Sequence, residues 1–323
     1  MGIKRLSMLI QIVIFILLFP MMIYAWTYDA TDALEDLEGF ASGLNTLIRD
    51  NLGSMSYLGE PIGYSFIKRL ALGVGAGAIF FPVKNIDIGD ASDSIDYGLL
   101  TFGYLPIPSA AAYGRFNFDI VELGIKVGGL PEMEFKNAGV KGKNLVIGGN
   151  LRYKLVDYSH FALKGGASVG GLFEYAKGGI TLRKGQPLLI TDPDTGEVAG
   201  YLNTDSAMET SWEAYTVGGE IQTNIQPLFL NFFIGIRASK TFGTAKSKLI
   251  SRYEIEPETG YESNFGTKVG NADIDIESKP EKMDVFGFGG VEAKFLMFVV
   301  SFKGSYNLMN QSFVLDGGGR LQF

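Results

Sequence analysis

Few residues in this chain are of a type and spacing that could do covalent chemistry. Its one histidine, His160, directly follows Ser159. A nucleophile and its base must come within hydrogen-bond reach, with a third group orienting the base. Two adjacent residues in a turn between strands do not arrange that, so no hydrolytic site is expected. The chain has no cysteine, which removes thiolate metal sites and disulfides, and a single histidine cannot build an imidazole cluster. Carboxylates gather at Glu254, Glu256, Glu258, Asp273, Asp275 and Glu277. Their spacing is not that of a calcium loop, and they read as a solvated acidic surface. Gly287-Phe288-Gly289-Gly290 and Gly317-Gly318-Gly319 lack the following helix and the Lys-Ser/Thr of a phosphate cradle. The expectation is a non-enzyme with no cofactor and no metal.

The chemistry that remains is charge set in a pattern. From residue 69 onward the dominant period is two, the period of a strand whose side chains alternate between faces. Leu70, Leu72, Val74, Ala76, Ala78 and Phe80 share one face, with Arg69, Gly73, Gly75 and Gly77 opposite. Val121, Leu123, Ile125 and Val127 oppose Glu122, Gly124, Lys126 and Gly128. Similar segments follow at 145–155, 161–175, 215–225, 228–237, 291–295 and 298–308. The polar face is repeatedly charged and the apolar face almost free of charge, as in a membrane barrel with one face to lipid and one to the lumen. On that parity Lys126, Arg152, Lys164, Arg237, Lys303 and Arg320 face the lumen, together with Glu122, Glu174, Glu220, Glu292 and Asp316. Lys154 and Lys294 share the polar parity. So do Phe229, Phe233, Phe286 and Phe288, four aromatics suited to a plug or to a path for an apolar solute. The mixed charges leave two readings open: a ladder that fills and rigidifies the barrel, or a transverse field across a water channel.

The expected fold is an all-β, antiparallel transmembrane barrel over 61–323, of about 12 strands with 14 the next count. Asp192-Pro193-Asp194-Thr195-Gly196 is a turn signal at the tip of a hairpin from Ile180 to Tyr201. Residues 249–284 read as an extended hairpin rising out of the membrane, with arms at Tyr253–Ile255 and Ala272–Ile276. Asn224–Pro227 and Lys294–Met297 are expected short turns on the opposite side.

Residues 26–60 read differently. Leu34, Leu37, Phe40, Ala41, Leu44, Leu47 and Ile48 lay an apolar stripe on a helix, with Asp32 and Glu35 as a capping start and Gly53 as a stop. The helix is expected to plug the lumen or lie at its periplasmic mouth, and Gly73, Gly75 and Gly77 would leave room for it. Before it, Lys4 and Arg5 precede an apolar run from Leu6 to Ile23 and a small residue, Ala25, the arrangement of an export signal over 1–25. Its removal takes the formal charge from −7 to −9, an acidic balance that argues against nucleic acid.

The C-terminal segment ends on an aromatic: Phe313, Leu315, Gly317, Gly319, Leu321 and Phe323 share one parity. This ending resembles the terminal strand by which bacterial outer-membrane β-barrel proteins are recognised for assembly, with Phe313, Leu321 and Phe323 as its signal. The whole resembles uncharacterised porin-like and spirochaetal barrels. An N-terminal helix ahead of a barrel is also similar in layout to outer-membrane transporters of hydrophobic compounds. The resemblance implies the cell outer membrane, with its lipids and the barrel assembly machinery as partners, and it transfers no functional residue. Three functions stay open: a channel passing small solutes, a transporter of hydrophobic small molecules or a plugged structural barrel, and a surface adhesin or receptor using 176–210 and 240–284.

Overall fold

A computed structural model describes residues 30–56, 69–82, 104–135, 140–160, 163–184, 188–191, 198–261, 269–280 and 283–323. The export segment and the turn at 192–196 lie outside these residues. Two helices, α1 (Ala30–Asp50) and α2 (Leu52–Ser56), precede twelve strands. These are β1 (Leu70–Pro82), β2 (Tyr104–Phe118), β3 (Val121–Phe135), β4 (Val140–His160), β5 (Leu163–Lys184) and β6 (Leu188–Thr191). They continue as β7 (Val198–Pro227), β8 (Leu230–Pro257), β9 (Val269–Ser278), β10 (Met283–Phe295), β11 (Phe298–Asn307) and β12 (Phe313–Gln322). α1 runs past Asp50 into α2 with only Asn51 between, so Gly53 lies inside the second helix instead of ending the first.

The ring closes through β1–β2–β3–β4–β5–β7–β8–β10–β11–β12 and back to β1, every pair antiparallel. Ten strands therefore form the barrel, not the 12 or 14 expected from the sequence. β6 adds nothing to the circumference because it continues β5 along the same edge of β7: Lys184 pairs Ser206 and Leu188 pairs Leu202. β9 continues β10 along β8 in the same way, with Met283 opposite Lys240 and Ser278 opposite Ala245. The extended hairpin over 249–284 is thus the upper part of two long strands. β2 escaped the alternation because Pro106 and Pro108 interrupt it. Both precede Ala110, where pairing with β3 begins, so their missing N–H groups face an edge that needs no donor.

One rim carries the tight turns. Asp119, Leu228 and Leu296 take left-handed backbone there, at φ of 65°, 54° and 54°. The chain ends tie in at the same rim, where the Arg69 amide donates to the Phe323 carbonyl at 2.9 Å. The other rim is uneven, since β7 and β8 run for 30 and 28 residues and stand above it as a wall.

The outer surface is apolar over a belt of defined height. On the β7–β8 pair, Ile225–Phe232 marks its lower row and Tyr215–Phe242 its upper row, ten residues further along. That is the length a tilted strand needs to cross hydrocarbon, about 9–11 residues. Past Tyr215 and Phe242 the outward row becomes Glu213 and Glu209 on β7, and Lys246 and Lys248 on β8. Within the belt Ile234 is 64% exposed although wholly apolar.

The inward glycines of β1 do not make room for a helix. A Cβ on Gly73 would collide with the ring of Tyr113, and one on Gly77 with Asp316 and the Leu315 carbonyl. Tyr113 comes from the neighbouring β2 and lies across β1, where its hydroxyl donates to the Gly319 carbonyl at 3.4 Å. Gly73→Val should therefore cost about 1–3 kcal/mol through overpacking. Thermal unfolding should show part of that loss restored when Tyr113→Ala is added, and strictly additive losses would overturn this account of the glycine.

Candidate functional site

The barrel interior is built in two storeys. The lower one is charged. Arg115, Lys126, Arg152, Arg237, Lys303 and Arg320 are buried there with Glu122, Glu174, Glu220, Glu292 and Asp316, and Asp284 is buried at its top, beneath α2. Six cations face six carboxylates among the described residues, so their formal charges balance.

Strand register decides who meets whom. Lys303 and Asp316 are direct cross-strand partners, with Nζ 3.5 Å from Oδ2. Arg320 makes a bidentate pair with Glu292 across β11, at 2.8 and 3.1 Å, and Asn231 donates to the same carboxylate at 2.9 Å. Two further pairs reach over a whole strand, and each crosses a glycine. Lys126 on β3 meets Glu174 on β5 at 2.6 Å over Gly148 of β4, where a Cβ would lie 2.8 Å from Lys126 Cε. Arg152 on β4 meets Glu220 on β7 at 2.5 Å over Gly170 of β5, where a Cβ would lie 2.8 Å from Arg152 Cγ. Arg237 shares Glu174, and Arg115 pairs Glu122. Burying a charge costs several kcal/mol, offset only by close partners, and these geometries supply them. The interior is therefore a ladder of close ion pairs.

Ten of the eleven sequence-predicted charges lie in this interior. Lys164 does not: it is exposed, because it is the second residue of β5 and the inward row opens to solvent at the tight-turn rim. Phe233, Phe286 and Phe288 are buried inside, but Phe229 is half exposed. It sits in the β7–β8 turn, where strand parity no longer applies, and packs at 6.0 Å centroid distance on Phe295 from the next turn. Sequence reasoning missed Arg115 and Asp284. Arg115 shares its row on β2 with Ile107, Ala111 and Tyr113, so the usual polar signal of an inward row was hidden by apolar residues.

The upper storey is apolar and filled by the chain's own helices. Ala41, Leu44, Leu47, Ile48, Leu52 and Met55 pack into a cup that includes Phe81, Met208, Trp212 and Leu249. The helix thus fills the barrel mouth beside the long strands, one of the two positions, plug or mouth, that the sequence left open for it. Several hydrogen bonds fix it. Asn45 donates to Ser247 Oγ and to the Ile276 carbonyl, both at 3.2 Å. Asn310 donates to the Asp50 carbonyl at 2.8 Å, and Ser54 meets Ser312 hydroxyl to hydroxyl at 3.0 Å. Gly53 lets α2 lie directly on β10, since a Cβ there would strike the Asp284 carboxylate. Asp284 in turn accepts from Asn307 at 2.7 Å.

Above the belt the wall is held by exposed ion pairs: Lys177–Glu213 at 3.1 Å, Lys246–Glu277 at 2.9 Å and Lys248–Asp273 at 3.5 Å. Hydrogen bonds from Lys177 and from the Tyr175 hydroxyl hold the Glu213 carboxyl below its ordinary range. Exposed pairs of this kind contribute little stability, because solvent screens them.

The terminal-strand residues Phe313 and Leu321 are half-buried on β12, and Phe323 is exposed at the rim. Phe313 stacks on Phe80 of β1 with centroids 4.3 Å apart, which pins the closing pair.

No protein-family model and no curated protein matches the chain. Among solved structures it is similar to the CymD monoaromatic hydrocarbon channel, at 11% identity over 86% of this chain and 98% of that one, with a TM-score of 0.27. It is also similar to the translocator domain of the autotransporter NalP from Neisseria meningitidis, at 9% identity over 90% and 98%, TM-score 0.29. A major outer membrane protein from Thermus thermophilus matches at 13% identity over 79% and 99%, TM-score 0.27. The architecture of the present chain rests on its own strand pairing: a closed antiparallel barrel with an apolar outer belt, the architecture of outer-membrane barrels.

Two outcomes test this site. Glu292→Ala strands the buried Arg320 and should destabilise the barrel by about 3–5 kcal/mol, whereas replacing both partners with apolar residues should recover most of it; denaturant unfolding reads the difference. Ser54→Cys with Ser312→Cys should cross-link on mild oxidation, in a chain with no other cysteine. A shift in electrophoretic mobility reversed by reductant reports it, and no cross-link would remove α2 from this place.

Proposed function

We propose that the protein is an outer-membrane barrel that is closed in its resting state and presents its strand wall and helix at the cell surface, as a receptor or adhesin. The observation that supports this most directly is the filled interior: buried, mutually neutralising ion pairs below and helix α1–α2 above. A passive pore for small solutes needs a continuous wet lumen, and the residues that would line it here are buried. What the protein offers to its surroundings is the wall, with sixteen residues of β7 between Val198 and Glu213 standing beyond the apolar belt. On this reading the apolar belt faces lipid, residues 1–25 are an exported signal, and the strand from Phe313 to Phe323 is the element the assembly machinery recognises.

A second reading is favoured by the apolar cup. The upper storey is lined by apolar side chains and covered by a helix held through a handful of hydrogen bonds. Displacement of that helix would open a site for an apolar solute, or the first stage of a regulated passage for a small one.

Single-channel recording in planar bilayers, with full-length protein and with residues 26–55 deleted, separates the readings. Silence from both, in verified folded barrels, is expected if the ion-pair storey closes the lumen by itself. Conductance appearing only on deletion would favour regulated passage, and steady conductance of the full-length protein would overturn the closed state. Membrane insertion has its own check. Ile234→Arg should reduce the fraction of folded protein in membranes, at a cost of about 2–4 kcal/mol for a charge at mid-depth. An unchanged fraction would mean that this face does not meet lipid.

A further inference from the structure

The outer belt is not uniformly convex. It sinks into an open hollow of about 1180 Å³ that runs across β5, β7, β8, β10, β11 and β12, and the glycine-floored groove of that hollow lies on β8, β10, β11 and β12. Two outward rows build it. In the upper row Ile236, Gly287, Tyr306 and Phe313 are successive cross-strand partners, and in the lower row Ile234, Gly289, Gly304 and Leu315. The floor of the groove is therefore Gly287, Gly289 and Gly304, with Tyr306, Phe313 and Leu315 as one bank and the isoleucines of β8 as the other, a ridge beyond which the hollow continues shallowly over Ile221 of β7 and Val169 of β5.

The protein's own packing does not demand those glycines. A Cβ on Gly287 would have nothing within 4 Å, one on Gly304 only Leu315 Cδ2 at 3.7 Å, and one on Gly289 only the Phe233 carbonyl at 3.4 Å. This contrasts with Gly148, Gly170 and Gly73, where a side chain would collide with neighbours. Glycine inside a strand weakens it and often marks close approach by a ligand or another backbone. Here no other described part of the chain approaches.

We infer that the groove binds the acyl chains of a phosphate-bearing membrane lipid. The inference rests on the reading that the belt faces lipid. Its place decides the medium, since the groove lies between the two rows that bound the belt and is continuous with the lipid-facing surface. Its width decides the shape. The banks of the upper row stand two strand spacings apart, about 10 Å between backbones, and the side chains on both banks narrow that further. A helix with its side chains is about 10–12 Å across and does not enter, whereas an extended hydrocarbon chain does. Charge decides the head. Lys240 follows Ile236 and Ala238 on the same outward row of β8, opposite Met283 and two residues short of the Phe242 row. A cation at that height stands where a lipid phosphate meets the apolar belt.

The test uses the full-length protein purified from membranes in mild detergent, with bound lipid read by native mass spectrometry and lipid phosphorus. Gly287→Leu with Gly289→Leu fills the floor, at positions where a Cβ meets no side chain, and a folded barrel is verified by its heat-modifiable mobility. Wild type should retain a phosphate-bearing lipid. The filled variant should lose it severalfold, and Lys240→Ala should lower retention while leaving the groove open. Equal retention by wild type and the filled variant would overturn the inference, as would a lipid-free wild type that runs as a dimer broken by the same substitutions. A protein that does not fractionate with membranes would instead sink the membrane reading itself, which keeps the two failures apart.

Discussion

Closure of the ring is the constraint from which the remaining structure follows. Once β1 pairs β12 from Ala71–Gln322 to Phe80–Phe313, no strand edge is left within the belt and every inward side chain is confined with its neighbours. A charge in that interior must find an opposite charge or remain unpaired at a cost of several kcal/mol. The composition follows the demand: buried cations and carboxylates are equal in number among the described residues, although the whole chain carries −7. The acidic excess lies elsewhere, including the wall residues Glu254, Glu256, Asp273 and Asp275 above the belt.

Glycine serves three different purposes in this barrel, and only local contacts tell them apart. At Gly148 and Gly170 it lets an ion pair reach across an intervening strand. At Gly73 it receives an aromatic ring from the next strand. At Gly287 and Gly289 it leaves the outer surface hollow. A sequence records all of these as the same letter, whichever face of the sheet it lies on. That is why the inward stripe of β1 suggested a bed for a helix, when the space belongs to Tyr113 and Asp316.

Much of the fold was legible because a period of two in a closed barrel carries both secondary structure and orientation. The rows at Val121–Val127 and Leu151–Leu155 point outward, and their partners Glu122, Lys126 and Arg152 lie inside. Strand number was not legible. Alternation says that a segment is a strand but not which edge it occupies, so β6 and β9 look like new staves of the barrel when they extend old ones. Turns were legible only to within about two residues, which moved Phe229 out of the lumen. The inward row of β2 was lost for a different reason. It holds Ile107, Ala111 and Tyr113 beside Ser109 and Arg115, so its polar signal is diluted by apolar residues.

The mixed row of β2 runs from one storey of the interior to the other, from Ile107 in the apolar cup to Arg115 among the ion pairs. Charged rows suit a lumen filled by cross-strand pairs, because register places their partners within reach. Higher up, the strands that form the wall bring Met208, Trp212, Leu249, Ile274 and Ile276 to the inside, where nothing in the sheet can cover them. An amphipathic helix encoded just before β1 covers that face. Its apolar stripe matches the cup and Asn45 meets the polar row at Ser247 and Ser278. The helix is therefore the counterpart of the tall strands: shortening β7 and β8 to the belt would remove the surface it covers. Sequence periodicity shows that such a helix exists, but the face it covers is set by how far two strands outgrow the barrel.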